Sequence, residues 1–336
     1  MQELVKIAID AMGGDNAPAE IVKGAVEAVN EHKEVKIFLV GKQDLIKKEL
    51  AQYTFDQARI EIVHAAQVID NNEHPVAAIR SKKDSSIVVA QKMVREGKAD
   101  AVISAGSTGA ILVGGQLVVG RIKGVERAPL AAIIPTTKGV SLLIDCGANV
   151  DARASHLLQF AKMGSIYMEN VVGKKNPSVA LVNIGLEEEK GNQLVKDTMP
   201  LLKECKTINF IGSVESREIP HGWCDVILCE AFTGNVILKL YEGTASAFMG
   251  KFKKALLSST RSKLGALLIK PALKNMIKEM DASEYGGAPM LGLNGLVVKC
   301  HGSSKSKEIR IAVGQCITFK REDVTGKIKA HIAQES

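Results

Sequence analysis

The sequence predicts an α/β fold, a three-layer α/β/α sandwich in which helices cover both faces of a mostly parallel sheet. Short runs rich in Val, Ile and Leu alternate with helix-length amphipathic segments over most of the 336 residues, which is typical of βαβ units. Hydrophobic residues make up 46% of the chain, enough for a large buried core. No repeat or long linker interrupts this alternation, so we predict one catalytic domain over residues 1–336.

Ten segments have the length and composition of strands, and the amphipathic segments between them predict the helices. The first strand breaks into a turn with two glycines, after which Pro18 suits the first position of a helix. In chain order the predicted strands are 5–9, 35–40, 60–64, 101–103, 130–134, 141–144, 178–182, 207–211, 226–229 and 296–299.

Residues 251–280 depart from this pattern and predict an inserted basic amphipathic helical hairpin, with Pro271 beginning its second helix. The net charge of the chain is +7. This segment carries all of that excess, because its one acidic residue, Glu279, is outnumbered by eight basic ones: Lys251, Lys253, Lys254, Arg261, Lys263, Lys270, Lys274 and Lys278.

The hairpin has two interpretations. In the first, it docks onto an anionic membrane surface or an acidic protein. In the second, it packs as a solvated helix pair on its own body or on a partner subunit. For the docking interpretation we single out Lys263, Leu267, Leu268, Lys270 and Lys274.

Small polar residues and glycines follow the predicted strands. Ligands of open α/β sheets bind beyond the carboxyl ends of the strands. Each loop alone is explained by a tight turn or a helix cap, but together they predict a crevice lined with N–H donors for a phosphate-like anion. The candidate residues are Asp10, Gly13, Gly14, Ser104, Gly106, Asn149, Lys190, Asn192, Gly234, Asn235 and His301.

Several function classes lack their sequence signatures. The chain has no dinucleotide-binding, P-loop or serine-hydrolase fingerprint, and its six cysteines have no C-x-x-C spacing. The low aromatic content, 4%, disfavours nucleic-acid binding. We expect reduced thiols, no metal and no cofactor. For Cys146, a buried structural thiol is favoured over a nucleophile. Without a signal-peptide pattern or a membrane span, we expect a cytoplasmic protein.

Nine motifs, in order along nearly the whole chain, resemble those of the PlsX family of bacterial phosphate acyltransferases. They are Asp10-Ala-Met-Gly-Gly-Asp15, Ile79-Arg-Ser-Lys-Lys-Asp-Ser-Ser86, Ser104-Ala-Gly106, Gly120-Arg-Ile-Lys-Gly124, Gly147-Ala-Asn-Val-Asp151, Lys190-Gly-Asn192, Phe232-Thr-Gly-Asn235, Tyr285-Gly-Gly-Ala288 and His301-Gly-Ser-Ser304.

The resemblance implies an acyltransferase of phospholipid synthesis that converts acyl-[acyl carrier protein] and inorganic phosphate into acyl phosphate, which a membrane glycerol-3-phosphate acyltransferase then uses. It also implies a homodimer, peripheral membrane contact through the hairpin, and a fold similar to the isocitrate/isopropylmalate dehydrogenase and phosphate acetyltransferase group. Three positions depart from the family pattern: Ser107 in place of Asn, Cys146 in place of Val, and Glu230-Ala231 in place of Asp-Gly.

From this resemblance and from phosphate chemistry we expect direct attack of phosphate on the thioester. Lys190, Asn192, Asn235 and backbone N–H groups of the glycine loops would hold the phosphate. Donors in Ser104 to Gly106, or Asn149, would stabilise the oxyanion, and His301 would protonate the leaving thiolate. For Lys190 the alternative is a surface ion pair with Glu187 or Glu188.

Two other functions remain open from the sequence. An NAD-dependent decarboxylating dehydrogenase shares the implied fold, although its metal-binding aspartates and arginine cluster are not seen in this sequence. A non-enzymatic protein that binds an anionic surface would use the basic hairpin alone, and would leave the neutral, loop-rich body without a role.

Overall fold

The computed structural model describes residues 4–279 and 285–333. Its strands follow the predicted order along the chain, with one addition before the last. They are β1 (Val5–Asp10), β2 (Val35–Gly41), β3 (Ile60–His64), β4 (Ala101–Ser104), β5 (Ala131–Thr136), β6 (Gly139–Ile144), β7 (Ser178–Asn183), β8 (Asn209–Glu215), β9 (Val226–Leu228), β10 (Ala288–Met290) and β11 (Leu296–Lys299).

Helices separate most of the strands, and short single-turn segments complete the connections. The helices of the described residues are α1 (Ala19–Glu31), α2 (Gln43–Leu50), α3 (Pro75–Ser81), α4 (Ser86–Arg95), α5 (Thr108–Gly114), α6 (Ala154–Tyr167), α7 (Gln193–Glu204), α8 (Ala231–Leu256), α9 (Thr260–Glu279), α10 (Ser306–Arg321) and α11 (Val324–Ala333).

The strands form two sheets, ordered β10-β11-β4-β1-β2-β3 and β5-β6-β9-β7-β8. All neighbours pair in parallel except β10 with β11 and β5 with β6. The two sheets approach each other at an antiparallel bridge between Leu130 and Met290. The predicted α/β fold with mostly parallel strands is therefore confirmed, whereas the single sheet that we predicted is divided into two.

One apolar cluster draws on both sheets and on the helices beside them. It includes Ile9 of β1, Leu142 of β6 and Phe160 of α6, all fully buried. Since this core crosses from one sheet to the other, it fixes the carboxyl ends of both sets of strands relative to each other.

All ten predicted strands are present, with ends shifted by a few residues. The strand that the sequence analysis missed, β10, has only three residues and contains Pro289, so it offers neither the length nor the composition of a typical strand. Its partner β11 was predicted correctly.

The prediction that Pro271 begins the second helix of the hairpin is wrong. The chain turns at Leu257 to Ser259, Ser259 Oγ accepts a hydrogen bond from Ser262 N–H at 3.1 Å, and Pro271 lies inside α9. Proline is tolerated there because the position is exposed, where water can satisfy the freed carbonyl. The first helix of the hairpin also extends back to Ala231.

The hairpin of α8 and α9 leaves many apolar side chains in solvent. Leu264, Leu267 and Leu268 are 63%, 64% and 76% exposed. Met280, the last residue of the predicted segment, lies outside the described residues. Among the helices described, none is long and apolar enough to cross a membrane.

Candidate active site

Loops from the carboxyl ends of β1, β4 and β11 meet at one edge of the first sheet. Ser104 Oγ donates to Asp10 Oδ2 at 2.7 Å and accepts from Gly106 N–H at 3.1 Å. The N–H of Asp15 donates to the carbonyl of Gly302 at 2.8 Å. The structure therefore brings together the predicted residues of three loops that are distant in sequence.

Two glycines allow this close approach. A Cβ on Gly13 would lie 2.7 Å from the backbone nitrogen of Gly106, closer than real contacts permit. Gly14 has φ of +100° and packs against Ala105, a backbone conformation that disfavours side chains. The glycines thus serve contact between loops, which places backbone N–H groups of both at the same edge.

Asp10 has a supporting position in this arrangement. It is 3% exposed, and burial raises the pKa of its carboxyl despite hydrogen bonds from Ser86, Ser104 and backbone N–H groups. A carboxylate held in this way orients the loops and does not contact an anion, because like charges repel.

A cleft of about 420 Å³ opens beside these loops, here called the loop cleft. Its lining includes Ala105, Gly106, Thr108, Gly302, His301, Lys239 and Lys299. The cleft combines backbone of glycine-rich loops with two cations, one imidazole and one carboxylate, that of Glu73. Because Glu73 is already paired with Lys82 at 2.7 Å, the remaining groups suit an anionic ligand.

Lys239 and Lys299 were not among the predicted site residues. Burial lowers the pKa of the Lys299 ammonium, and the charge of Lys239 lowers it further. Lys239 pairs with Glu242 at 3.1 Å, whereas Lys299 Nζ donates a long hydrogen bond, 3.4 Å, to the carbonyl of Cys300. The available signal for Lys299 was its place at the end of the last predicted strand. For Lys239 it was the position one helical turn after Asn235, a predicted site residue of the same helix.

The orientation of His301 follows from its neighbours. Its Nδ1 accepts from Ser303 N–H at 3.2 Å and lies 2.8 Å from Ser303 Oγ. Since Nδ1 accepts a backbone N–H, the neutral ring carries its proton on Nε2. His301 can therefore act as a donor toward the cleft that it lines.

Asn235 lies on α8, near Lys239 of the loop cleft. It is exposed and precedes Lys239 by four residues, one helical turn, so the two side chains share a face of the helix. This position is consistent with a contact between Asn235 and a ligand of the loop cleft.

The structure places Lys190 and Asn192 elsewhere. Asn192 lines a second cleft of about 860 Å³, here called the Phe232 cleft, and its side chain caps α7 by accepting from Val195 N–H at 3.0 Å. Lys190 Nζ pairs with Glu187 Oε1 at 2.8 Å. That hydrogen bond raises the pKa of Lys190. The surface ion pair, which the sequence analysis treated as the alternative, is thus what the structure contains.

Asn149 and Gly234 make contacts within the protein that the sequence did not reveal. Both N–H groups of the Asn149 amide are used, one by Ala128 O at 3.0 Å and one by Asp145 Oδ2 at 2.7 Å. A Cβ on Gly234 would overlap the carbonyl oxygen of Asp145. In this conformation the amide nitrogen of Asn149 is occupied and Gly234 serves close packing, so direct binding of substrate by these two residues stays a prediction.

Asp145, which the sequence analysis did not select, organises that loop. Its buried carboxylate accepts backbone N–H groups of Leu130, Gly147, Ala148 and Asn149 at 2.9–3.1 Å. Burial nevertheless raises the pKa of its carboxyl. The contacts hold the end of β6 against the start of β5.

The cysteines fit the predicted structural role. Cys146 is 2% exposed, and burial raises the pKa of its thiol well above the usual range, so it is not primed as a nucleophile. All six cysteines are free thiols. The described residues contain no group of three or more His, Cys, Asp or Glu side chains that could hold a metal ion.

Comparison with known proteins shows which family and which solved structures this chain is similar to. A family model described as "Fatty acid synthesis protein" matches residues 5–327. A protein of Alkaliphilus oremlandii named "Phosphate acyltransferase" is 53% identical, covering 98% of this chain and 97% of its own. One of Clostridioides difficile with the same name is 51% identical over 98% and 97%.

Among solved structures, a phosphotransacetylase from Streptococcus pyogenes matches with a TM-score of 0.61 at 14% identity, covering 95% of this chain and 94% of that one. The EutD phosphotransacetylase from Staphylococcus aureus matches with a TM-score of 0.60 at 16% identity, covering 94% of each chain. At such identities the likeness concerns the fold alone.

Proposed function

Since this chain belongs to the fatty acid synthesis protein family and is a phosphate acyltransferase, we propose that it transfers a fatty acyl group from acyl-[acyl carrier protein] to inorganic phosphate. The products would be acyl phosphate and the free carrier protein. A membrane glycerol-3-phosphate acyltransferase would then use the acyl phosphate for phosphatidic acid, the precursor of phospholipids.

The loop cleft carries this proposal. It is the place where glycine-rich backbone, two lysines and His301 line one cavity. Each charge-assisted hydrogen bond to phosphate contributes about 1.5–3 kcal/mol. Lys239, Lys299 and Asn235 would hold the phosphate, with backbone N–H groups of the loops at its remaining oxygens.

In the proposed reaction an oxygen of the phosphate dianion attacks the thioester carbonyl, so a P–O–C bond forms and the carbonyl oxygen becomes an oxyanion. Phosphate is already nucleophilic near neutral pH and needs positioning more than deprotonation. N–H groups from Ser104 to Gly106 would stabilise the oxyanion. The tetrahedral intermediate then collapses as the C–S bond breaks, and the thiolate takes a proton from water, or from His301 when its ring carries a second proton.

For Lys190 and Asn192 the proposed phosphate contact requires a change from this conformation. Lys190 would have to leave Glu187 before it could bind another anion. Breaking this ion pair would cost little free energy, because it is exposed to solvent. The contact with Lys190 is therefore a separate proposal from the loop cleft, with its own test given in the Discussion.

Two assembly proposals accompany the reaction. Exposed apolar side chains on α8, among them Phe232 and Leu240 at 65% and 68%, favour burial against a second copy in a homodimer. The exposed leucines and cations of the α8–α9 hairpin favour reversible contact with an anionic membrane surface or with the acidic carrier protein.

The decisive experiment follows free thiol released from hexadecanoyl-[acyl carrier protein], with and without phosphate, and traps the acyl product with hydroxylamine. Phosphate-dependent thiol release together with hydroxamate formation is the expected result. Release at the same rate without phosphate would contradict the proposed acceptor. The full chain is used, with carrier protein lacking the acyl group as the blank.

The dehydrogenase alternative receives no support from the relatives, since those at about half identity over the whole chain carry acyltransferase names. Adding NAD with candidate hydroxy acids should give no absorbance change. A purely surface-binding role would give no function to the half-buried Lys299.

A further inference from the structure

An apolar cleft of about 390 Å³ adjoins the loop cleft. The two cavities share Lys239, Lys299 and His301 in their linings. The cationic wall proposed to hold phosphate is therefore also one end of the apolar cleft, and a ligand could occupy both cavities with its polar end at these three residues.

The body of the apolar cleft is built from β5, α8 and the segment before β10. It includes Leu130, Ala132, Ile134, Pro135, Leu238 and Ala245. The hydroxyl of Tyr241 donates to the carbonyl of Pro135 at 2.5 Å, so its polar group is already satisfied and its ring is what remains to contact a ligand. Besides Tyr241 and the three shared residues, the polar side chains of the lining are Glu242, Ser303, Ser304 and Glu308. Glu242 pairs with Lys239, and Glu308 accepts a hydrogen bond from Lys305 N–H at 2.8 Å.

Small residues keep this space open. Gly286, with φ of +85°, and Gly287, where a Cβ would lie 2.6 Å from Val298 Cγ1, form one wall. Ala132 and Ala245 face the cavity from β5 and α8. Larger side chains at the two alanines would fill it.

We propose that the apolar cleft holds the acyl chain of the donor and that Ala245 limits the chain length used. This inference rests on the proposed function, whose thioester carbonyl would lie at the end shared with the loop cleft. An unbranched hydrocarbon needs no polar partners and matches the apolar lining, whereas the amide groups of a pantetheine arm would be left without hydrogen bonds there.

The chain length dependence of the reaction tests the assignment. Each buried methylene strengthens binding about fourfold, so kcat/KM of the natural chain should rise from butanoyl through octanoyl to dodecanoyl and hexadecanoyl donors until the cleft is full. Ala245→Trp removes room for two or three methylenes and should lower kcat/KM for the long donors by about 15- to 60-fold, while butanoyl transfer stays within about twofold.

A matched control lies on the same helix. Ala247 is exposed and does not line the apolar cleft, so Ala247→Trp should leave the chain-length profile unchanged. Because Ala245 is also exposed at the helix surface, its replacement should be tolerated. Ala245→Leu provides a graded second variant, with an intermediate shift expected.

The outcomes separate this inference from the proposed function. An unchanged profile in both Ala245 variants, or the same shift in Ala247→Trp, overturns the inference while phosphate-dependent release persists. Absence of phosphate-dependent thiol release in the natural chain with every donor overturns the proposed function itself.

Discussion

Lys299 is a half-buried cation without a carboxylate partner in the described part of the chain. Among the residues that the structure describes, no carboxylate is within ion-pair distance of its ammonium, and burial lowers its pKa. A cation that is partly removed from water without an anionic partner destabilises the folded protein, so its presence beside glycine-rich loops indicates a function. An anion in the loop cleft would supply the missing partner.

Replacing Lys299 with Met should weaken use of phosphate without weakening the fold. We expect KM for phosphate to rise about 10- to 100-fold, since a charge-assisted hydrogen bond is lost, and Tm to stay the same or rise. Steady-state kinetics with phosphate and thermal unfolding check both parts. Lys305→Met, at an exposed lysine of the next turn, is the control; an unchanged KM in Lys299→Met would remove this residue from the site.

The affinity for phosphate should change with pH in one direction. Because the pKa of Lys299 is lowered by burial, its charge is lost at a lower pH than that of an ordinary lysine. Phosphate affinity should therefore fall as pH rises through this lowered pKa. The corresponding limb should be missing from the profile of Lys299→Met.

Lys190 is a different case, because its partner is visible. If it binds phosphate, Lys190→Ala should raise KM for phosphate, whereas Glu187→Gln should lower it by releasing the lysine from its 2.8 Å pair. Opposite shifts of a few-fold in the two variants are expected. Equal KM values in both variants and the natural chain would restrict Lys190 to its surface ion pair.

At the scale of elements, α8 determines how the candidate residues are grouped. Its start is capped by Glu230, which accepts from Thr233 N–H at 3.1 Å. Phe232, Val236 and Leu240, spaced one turn apart, line the Phe232 cleft. Leu238, Lys239 and Ala245 line the apolar cleft on the other side. The helix α8 therefore contributes one set of side chains to the Phe232 cleft and another set to the apolar cleft.

Close packing of α8 against β6 depends on Gly234. A Cβ there would overlap the carbonyl oxygen of Asp145, so Gly234→Ala should lower the free energy of unfolding by about 1–3 kcal/mol. Denaturant unfolding measures this change. Gly243 lies in the same helix with no atom near its hypothetical Cβ, and Gly243→Ala should be neutral or stabilising by up to about 1 kcal/mol. Equal changes in the free energy of unfolding for the two variants would show that helix propensity, and not packing against β6, determines the effect at both positions.

At the scale of the whole molecule, charge is segregated. Residues 251–280 carry the net excess of the chain, and the α8–α9 hairpin combines this charge with exposed leucines. At about 1 kcal/mol for each suitably placed cation on an anionic surface, several such residues would support reversible attachment, weakened by salt.

Reversing the charge of Lys263, Lys270 and Lys274 to Glu should release the protein from vesicles that contain phosphatidylglycerol, while turnover in solution stays within about twofold. Flotation of vesicles with bound protein gives the attached fraction, and phosphatidylcholine vesicles give the background. The same change at three exposed lysines of the body, Lys33, Lys47 and Lys48, is the control. If the hairpin variant bound phosphatidylglycerol vesicles as well as the control variant does, the docking proposal would be contradicted.

The fold class, ten of the strands and the loops at their ends could be predicted from the sequence alone. These follow from hydrophobic periodicity and turn chemistry, which act over a few residues along the chain. The sequence also predicted that Asp10, Gly13, Ser104 and His301 belong to one edge of a sheet, because carboxyl ends of parallel strands meet there. The short β10 and the true turn of the hairpin had weak or misleading local signals.

Only the tertiary structure decided which loops share a cavity. Asp10 and Ser104 bond across 94 residues of sequence because β4 lies beside β1 in the sheet, and local patterns do not encode that order. The same packing separates Lys190 from His301 and brings Lys239 of α8 to Lys299 of β11. Side-chain proximity depends on how elements pack through a common core, which is a property of the whole chain.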